Sequence, residues 1–263
     1  MIADFPSSDV IAAEGRLALV GLAATLRTWF DQQFRTMALS EQATECQFPA
    51  SIARETLTRA GYFESFPDGA TPIGGGPRSD FCLTPAVCFH AYGLFAERVF
   101  HRPLRLTAAQ PCFREADRRN AAESIARLWE FTMREIVFIG PAEWVAAEHR
   151  GWMDRTQALA RQLELRWTIE PATDAFYGEL SRGQRLIQQL KRLKEEMRLP
   201  LGERTIAAAS FNLHETYFAT RFDLRLPDGS PAHSGCAAFG LERWALALLA
   251  QRGEQAAHDL LKE

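Results

Sequence analysis

The stretch IARLWEFTMREIVFIG, Ile125 to Gly140, decides the fold. Its apolar residues and its length predict a strand, and LRLTAAQPCFREADR, Leu104 to Arg118, predicts another that runs into a polar loop. Together they predict a long antiparallel hairpin. Side chains alternate along a strand, so Arg127, Phe131 and Glu135 fall on one face, with Arg114 at the end of the preceding strand. A guanidinium, an aromatic ring and a carboxylate on one surface can neutralise a polyphosphate, stack a base and hold an amine.

Outward from the hairpin, SEQATECQFPASIARETLTRAGYFESFP, Ser40 to Pro67, predicts an extended piece ending at Pro49. An amphipathic helix follows, with Ile52, Leu57 and Ala60 inward and a stop at Gly61. DGATPIGGGPRSD is a glycine- and proline-rich loop, and FCLTPAVCFHAYGLFAERV gives a short strand or turn at Leu83 to Pro85 before a helix with Cys88, Tyr92 and Phe95. Helices are predicted for Ala142 to Leu165 and for Gly183 to Arg198. TIAAASFNLHETYFATRFDLRLPDGSPAHSGC reads as two strands joined at the turn PDG, and a last helix follows Gly240. The pattern is α+β, one domain over residues 1–263 built on an antiparallel β-sheet flanked by helices, with an inserted helical segment at about 142–200.

The chain has 263 residues, of which 47% are hydrophobic and 24% charged, enough for a sizeable core. A formal charge of −3 sets up no global field for nucleic acid. No apolar run reaches the roughly 18 residues of a membrane span, and MIADFPSSDV has no signal-peptide pattern, so a cytoplasmic location is expected. Five cysteines, an odd number, argue against a disulfide framework. From the residues alone each is either a buried small hydrophobe or a metal ligand.

The segments LTPAVCFHAYG, RLWEFTMREIVFIG, DAFYG, LKRLKEEMRLPL, ASFNLHETYF and AHSGCAAFGLERWALALL, in this order, resemble a known family. It is the amino acid:[carrier protein] ligases, truncated seryl-tRNA synthetase homologues of the atypical zinc-dependent type, with the class II aminoacyl-tRNA synthetase catalytic core. The arginine-bearing hairpin is similar to the second class II motif and GLERWALAL to the third. The resemblance implies activation of a small amino acid by ATP as an aminoacyl adenylate. Transfer to the phosphopantetheine thiol of an acyl or peptidyl carrier protein would follow.

By the same resemblance Arg114 bridges the carboxylate and the α-phosphate, Arg127 supports the phosphates, Phe131 stacks on adenine and Arg243 meets the γ-phosphate of a bent ATP. Cys88, Glu135 and Cys236 would hold zinc, leaving a fourth position for water or the substrate's amino group. Magnesium is expected with ATP, with Asn212 and Glu215 as the nearest candidate ligands. Glu135 and Asn212 would contact the amino acid. A homodimer is expected.

Some residues keep two readings. Arg243 is either a phosphate ligand or a partner of Glu242, although neighbours on a helix do not face each other. The run Arg182, Arg185, Lys191, Arg192, Lys194 and Arg198 is either a solvated helix face or a docking surface for an acidic carrier protein. His214 and His233 are placed in hydrogen bonds rather than in base catalysis, because a carboxylate is already ionised at neutral pH. Cys46, Cys82 and Cys112 are assigned to the core.

Ala116 stands where the family has a glutamate, which keeps a non-catalytic, ligand-binding paralogue as an alternative. A tRNA synthetase is the other alternative. It is disfavoured because no coiled-coil arm or anticodon module is seen in 263 residues.

Overall fold

The computed structural model describes residues 9–13, 15–74, 79–115, 128–172 and 193–262. The predicted hairpin forms as β6 (Leu104–Phe113) and β7 (Glu130–Gly140), paired antiparallel from Leu104↔Ile139 to Phe113↔Glu130. Before it come β1 (Val10–Ala13), β2 (Arg16–Leu19), α1 (Gly21–Ser40), β3 (Thr44–Glu45), β4 (Ser51–Ala53), α2 (Arg54–Arg59), α3 (Tyr62–Ser65), β5 (Phe81–Leu83) and α4 (Cys88–Leu94). After it come α5 (Ala142–Gln162), β8 (Thr168–Pro171), β9 (Lys194–Leu201), β10 (Arg204–Glu215), α6 (Tyr217–Phe222), β11 (His233–Gly240) and α7 (Leu241–Leu260).

Seven strands make the main sheet in the order β3-β6-β7-β11-β10-β9-β8. Every pair in it is antiparallel except β3 with β6. Strand alternation then divides the residues between two faces. Ile136, Phe138, Phe211 and Phe239 bury one face under α1, α5 and α7, against Phe30, Phe34, Trp152 and Trp244. Phe34 stacks on Phe239 with ring centres 3.9 Å apart. Aromatic rings of this kind each remove roughly 150–250 Å² from water, a gross gain of about 4–6 kcal/mol apiece before entropy is charged against it. The opposite face carries Leu106, Val137, Ile139 and Cys236 under α4 and α6.

Several predicted elements change. Ile52 lies on β4, and the helix inside Ser40–Pro67 begins only at Arg54, with Leu57 and Ala60 buried as expected. The segment from Thr205 to Cys236 is not two strands joined at a turn, because α6 intervenes before the turn at Asp228 and Gly229. Phe218, Ala219 and Phe222 have helical spacing, and Asp223 in the left-handed region ends that helix. Lys194–Leu201 belongs to a strand, not to the predicted helix Gly183–Arg198; residues 183–192 lie outside the described residues. Charged residues favour helix in isolation, but KEEMRLPL alternates, burying Glu195, Met197, Leu199 and Leu201. The stretch 142–200 therefore contributes two strands to the main sheet as well as α5.

Candidate active site

A cavity of about 520 Å³ opens on the sheet face away from α1, α5 and α7. Small residues leave the room for it. On this face β10 and β11 present Ala208, Ser210, Ala238 and Gly240, where the other face presents Phe211 and Phe239. The strand register orders the lining. Phe131 stands at one end of β7, and Met133 pairs with Gly240 two residues further on. Glu135, Ala238, Ser210 and Glu196 form the next row, and Cys236, Asn212 and Lys194 the row after. His214, Phe218 and Tyr62 continue past them.

At the Phe131 end two cations face one ring. The guanidinium carbon of Arg114 lies 4.9 Å from the ring centre and that of Arg243 lies 5.9 Å from it. Arg114 follows β6 and is anchored by its backbone N–H donating to the Trp129 carbonyl at 2.8 Å. Arg243 comes from the first turn of α7, and its Nη1 donates to the Ala207 carbonyl at 2.7 Å. Its neighbour Glu242 points elsewhere, accepting from the Thr132 N–H and from Arg27 Nε. Arg127 and Ala116 lie outside the described residues.

Further along, the structure brings Cys88, Glu135 and Cys236 together, at relative exposures of 5%, 2% and 2%. The Cys88 N–H donates to Glu135 Oε2 at 2.9 Å, and the carboxyl and the two thiols lie close enough to shift one another's protonation. The bond from Cys236 alone would lower the Cys88 thiol, but burial and Glu135 outweigh it and push it up to about 11. Burial first, and the neighbouring Cys88 and Glu135 second, hold the Cys236 thiol well above the usual range. Burial also raises the Glu135 carboxyl, against the hydrogen bonds it accepts and the charge of Arg114.

Among the described residues no three or more His, Cys, Asp or Glu side chains take up an arrangement ready to hold a metal ion. The two thiols and the carboxyl are instead turned on one another. As a donor set they nonetheless suit zinc, being two sulfurs and one oxygen, dry and closely grouped. All three are shifted towards their protonated forms, and a divalent cation is what would let them ionise together.

Asn212 Nδ2 donates to Ser210 Oγ at 3.2 Å and to Cys236 Sγ at 3.4 Å, which puts the amide beside the trio. His214 Nδ1 and Tyr92 Oη share a hydrogen bond of 2.8 Å, and burial pushes the imidazole down to about 3. His214 is therefore a neutral wall of the cavity at neutral pH. Glu215 and His233 do not line the cavity. Cys82 and Cys112 are buried and Cys46 half-buried, all as free thiols.

Lys194 and Glu196, both inside the stretch predicted as helix Gly183–Arg198, line the cavity from β9. The alternation of KEEMRLPL is the signal for a strand here. Nothing local marks Tyr92 or Ser210, which are brought in by the fold.

The model of the tRNA synthetase class II core domain (G, H, P, S and T) matches residues 76–252. Amino acid--[acyl-carrier-protein] ligase 1 of Bradyrhizobium diazoefficiens is 33% identical over 242 residues, covering 81% of this chain and 73% of the relative. The chain belongs to this ligase family within the class II core. Ligase 2 of the same organism is 34% identical over 239 residues, covering 80% of this chain and 70% of that relative.

Among solved structures, M. kandleri SerRS in complex with A. aeolicus tRNASec superposes with a TM-score of 0.78 at 23% identity. That match covers 96% of this chain and 58% of the SerRS chain, and what is shared is the fold. In this class II ligase chain the two arginines and Phe131 come from the segments that resemble the second and third motifs, and they meet at one end of one cavity. No described helix is long and apolar enough to cross a membrane.

Proposed function

We propose that this chain joins ATP and a small amino acid into an aminoacyl adenylate and transfers the aminoacyl group to the phosphopantetheine thiol of a carrier protein. The observation that carries it is the linear order of the cavity. Two guanidinium groups on an aromatic ring stand at one end, and a buried Cys, Glu, Cys trio with an amide stands further along the same strands. A nucleotide and an amino acid laid end to end would fit that order.

The chemistry follows from the charges. An amino acid carboxylate oxygen bonds to the α-phosphorus while the bond to the bridging oxygen breaks and pyrophosphate leaves. Both reactants are anions, so a preplaced cation lowers the barrier most where their charges meet. Arg114 lies against the Phe131 ring, and its charge reaches the Glu135 carboxyl, so it would bridge the carboxylate and the α-phosphate. Adenine would stack on Phe131, and Arg243 would close the same slot, where the γ-phosphate of a bent ATP folds back over the base. Arg127 would support the phosphates. In the second step the carrier thiol gives up its proton to solvent and attacks the acyl carbonyl, and the bond to the AMP oxygen breaks as AMP departs.

Cys88, Glu135 and Cys236 would hold zinc, which when bound supplies a seat for the substrate's α-amino group. Asn212 then orients the amino acid beside Cys236. His214 needs no proton role in the first step, because the carboxylate is already ionised at neutral pH.

Magnesium accompanies ATP in this reading; of its two candidate ligands, Asn212 lies in the cavity away from the Phe131 end and Glu215 does not line the cavity. We read the chain as one domain acting in the cytoplasm as a homodimer. Its carrier protein docks on the basic run from Arg182, of which Lys194 and Arg198 now belong to β9.

The test is pyrophosphate exchange into ATP across a panel of amino acids, then transfer of labelled amino acid to holo carrier protein or to tRNA. Exchange with one or a few small amino acids and transfer to the carrier alone are expected. No exchange with any amino acid in a zinc-loaded preparation would leave the binding-only paralogue; transfer to tRNA would make the chain a synthetase.

A further inference from the structure

The ladder between β7 and β11 ends at the pair Met133↔Gly240, because the chain turns into α7 there. Thr132, the next residue of β7, pairs with Pro111 on β6 and has no residue of β11 beside it. Its own N–H is taken up by the Glu242 carboxylate, at 3.0 Å to Oε1 and 2.9 Å to Oε2. A side chain thus replaces the strand that has stopped. Glu242 is 7% exposed, a buried carboxylate given over to a backbone group.

Arg27 of α1 completes the arrangement. Its Nη2 donates to Thr132 Oγ1 at 2.6 Å and its Nε to Glu242 Oε1 at 3.3 Å. Three segments far apart in sequence therefore meet one residue from Phe131, at the wall of a second cavity of about 350 Å³ that Phe131 also lines. Glu242 and Arg243 are neighbours on the first turn of α7 and diverge, one fixing β7 from behind while the other reaches the Phe131 ring.

We propose that Glu242 and Arg27 are positioning residues that hold Phe131 and Arg243 at the spacing the nucleotide requires, and so tie α1 to the nucleotide end of the cavity. The proposal rests on the reading of that end as an ATP site. Neither residue touches the nucleotide; Glu242 acts through the Thr132 backbone N–H, and Arg27 through the Thr132 hydroxyl and Glu242 itself.

The experiment is steady-state exchange and nucleotide titration with the full chain and its variants Glu242→Ala, Glu242→Gln and Arg27→Gln. Amide hydrogen exchange at Thr132 is followed in parallel. Removing a charge-assisted bond to a buried N–H predicts a KM for ATP raised roughly tenfold or more in Glu242→Ala, with the KM for the amino acid within about twofold. Glu242→Gln keeps an acceptor for Thr132 and restores most of the ATP affinity; Arg27→Gln lies between.

The Thr132 amide should exchange faster in Glu242→Ala while Ile136 stays protected. A fold-stabilising role alone would lower melting temperature and active fraction with both KM values unchanged, and that result overturns the proposal. So does an ATP affinity in Glu242→Ala equal to wild type. Wild type that binds no adenine nucleotide overturns the reading of the site itself.

Discussion

The backbone N–H of Cys88 donates to Oε2 of Glu135 across 2.9 Å, so the start of α4 is fastened to the middle of β7. That bond brings one thiol to the carboxyl, and β11 brings the other. Three residues separated by 47 and 101 positions are made neighbours by one helix start and two adjacent strands.

Metal content is expected to depend on the trio as a unit. Glu135→Gln keeps an acceptor for the Cys88 N–H but removes the negative charge, and Cys236→Ser removes a soft ligand. Each should lower bound zinc below one ion per chain by elemental mass spectrometry and cut amino acid activation by at least roughly 100-fold. Melting temperature in Glu135→Gln should move by only a few degrees. Full metal content with full activity in either variant would remove zinc from the site.

Arg114 and Phe131 should fail in different ways. Arg114→Lys retains a charge but loses the planar fork that can meet a carboxylate and a phosphate together, so kcat is expected to fall roughly 100-fold with a smaller change in KM for ATP. Phe131→Leu keeps apolar bulk but loses the ring, which should raise KM for ATP roughly tenfold with kcat nearly kept. Equal effects on both constants in both variants would contradict the division of labour along the cavity.

Gly235 is expected to be intolerant. A Cβ there would lie 2.4 Å from Phe138 Cε2 and 2.6 Å from the Asn212 carbonyl, so Gly235→Ala must push apart β7, β10 and β11 beside Cys236. A cost of about 1–3 kcal/mol in urea unfolding and a loss of zinc affinity should appear together. Gly240 differs, since the nearest atom to its Cβ would be Arg243 Cδ at 3.4 Å, in the flexible part of a side chain. Gly240→Ala should change stability by well under half as much.

How far the sequence could be read follows from how local each signal is. The β6–β7 hairpin and the helix after Gly240 were legible because alternation and caps act within a few residues. Phe131 and Glu135 could be put on one face by counting. Lys194 and Glu196 were lost because a charged run satisfies helix propensity while the neighbouring β10 makes it a strand. The α6 helix was lost because six residues, set between strand-like runs, are too short a window for the helical spacing of 218, 219 and 222 to stand out. Glu242 was visible only as a neighbour of Arg243; its partners at positions 27 and 132 are joined to it by the fold alone.

His149 gives the fold a dependence on pH that lies apart from the site. It is 4% exposed on α5 against Phe211, and burial lowers its imidazole from the usual value, against a hydrogen bond to the Phe211 backbone and the charge of Glu195. The folded chain therefore keeps His149 neutral where the unfolded chain, near pH 6.5, takes up a proton. Its contribution is fully present above that value and is lost as pH falls towards the lowered folded value. Each such proton steepens the loss by about 1.4 kcal/mol per pH unit. His149→Gln is expected to flatten the slope of unfolding free energy between pH 6 and 5 by up to one proton (roughly, from linkage), measured by urea denaturation. An unchanged slope would mean that His149 stays neutral in the unfolded chain or is charged in the folded one, and either would contradict its burial.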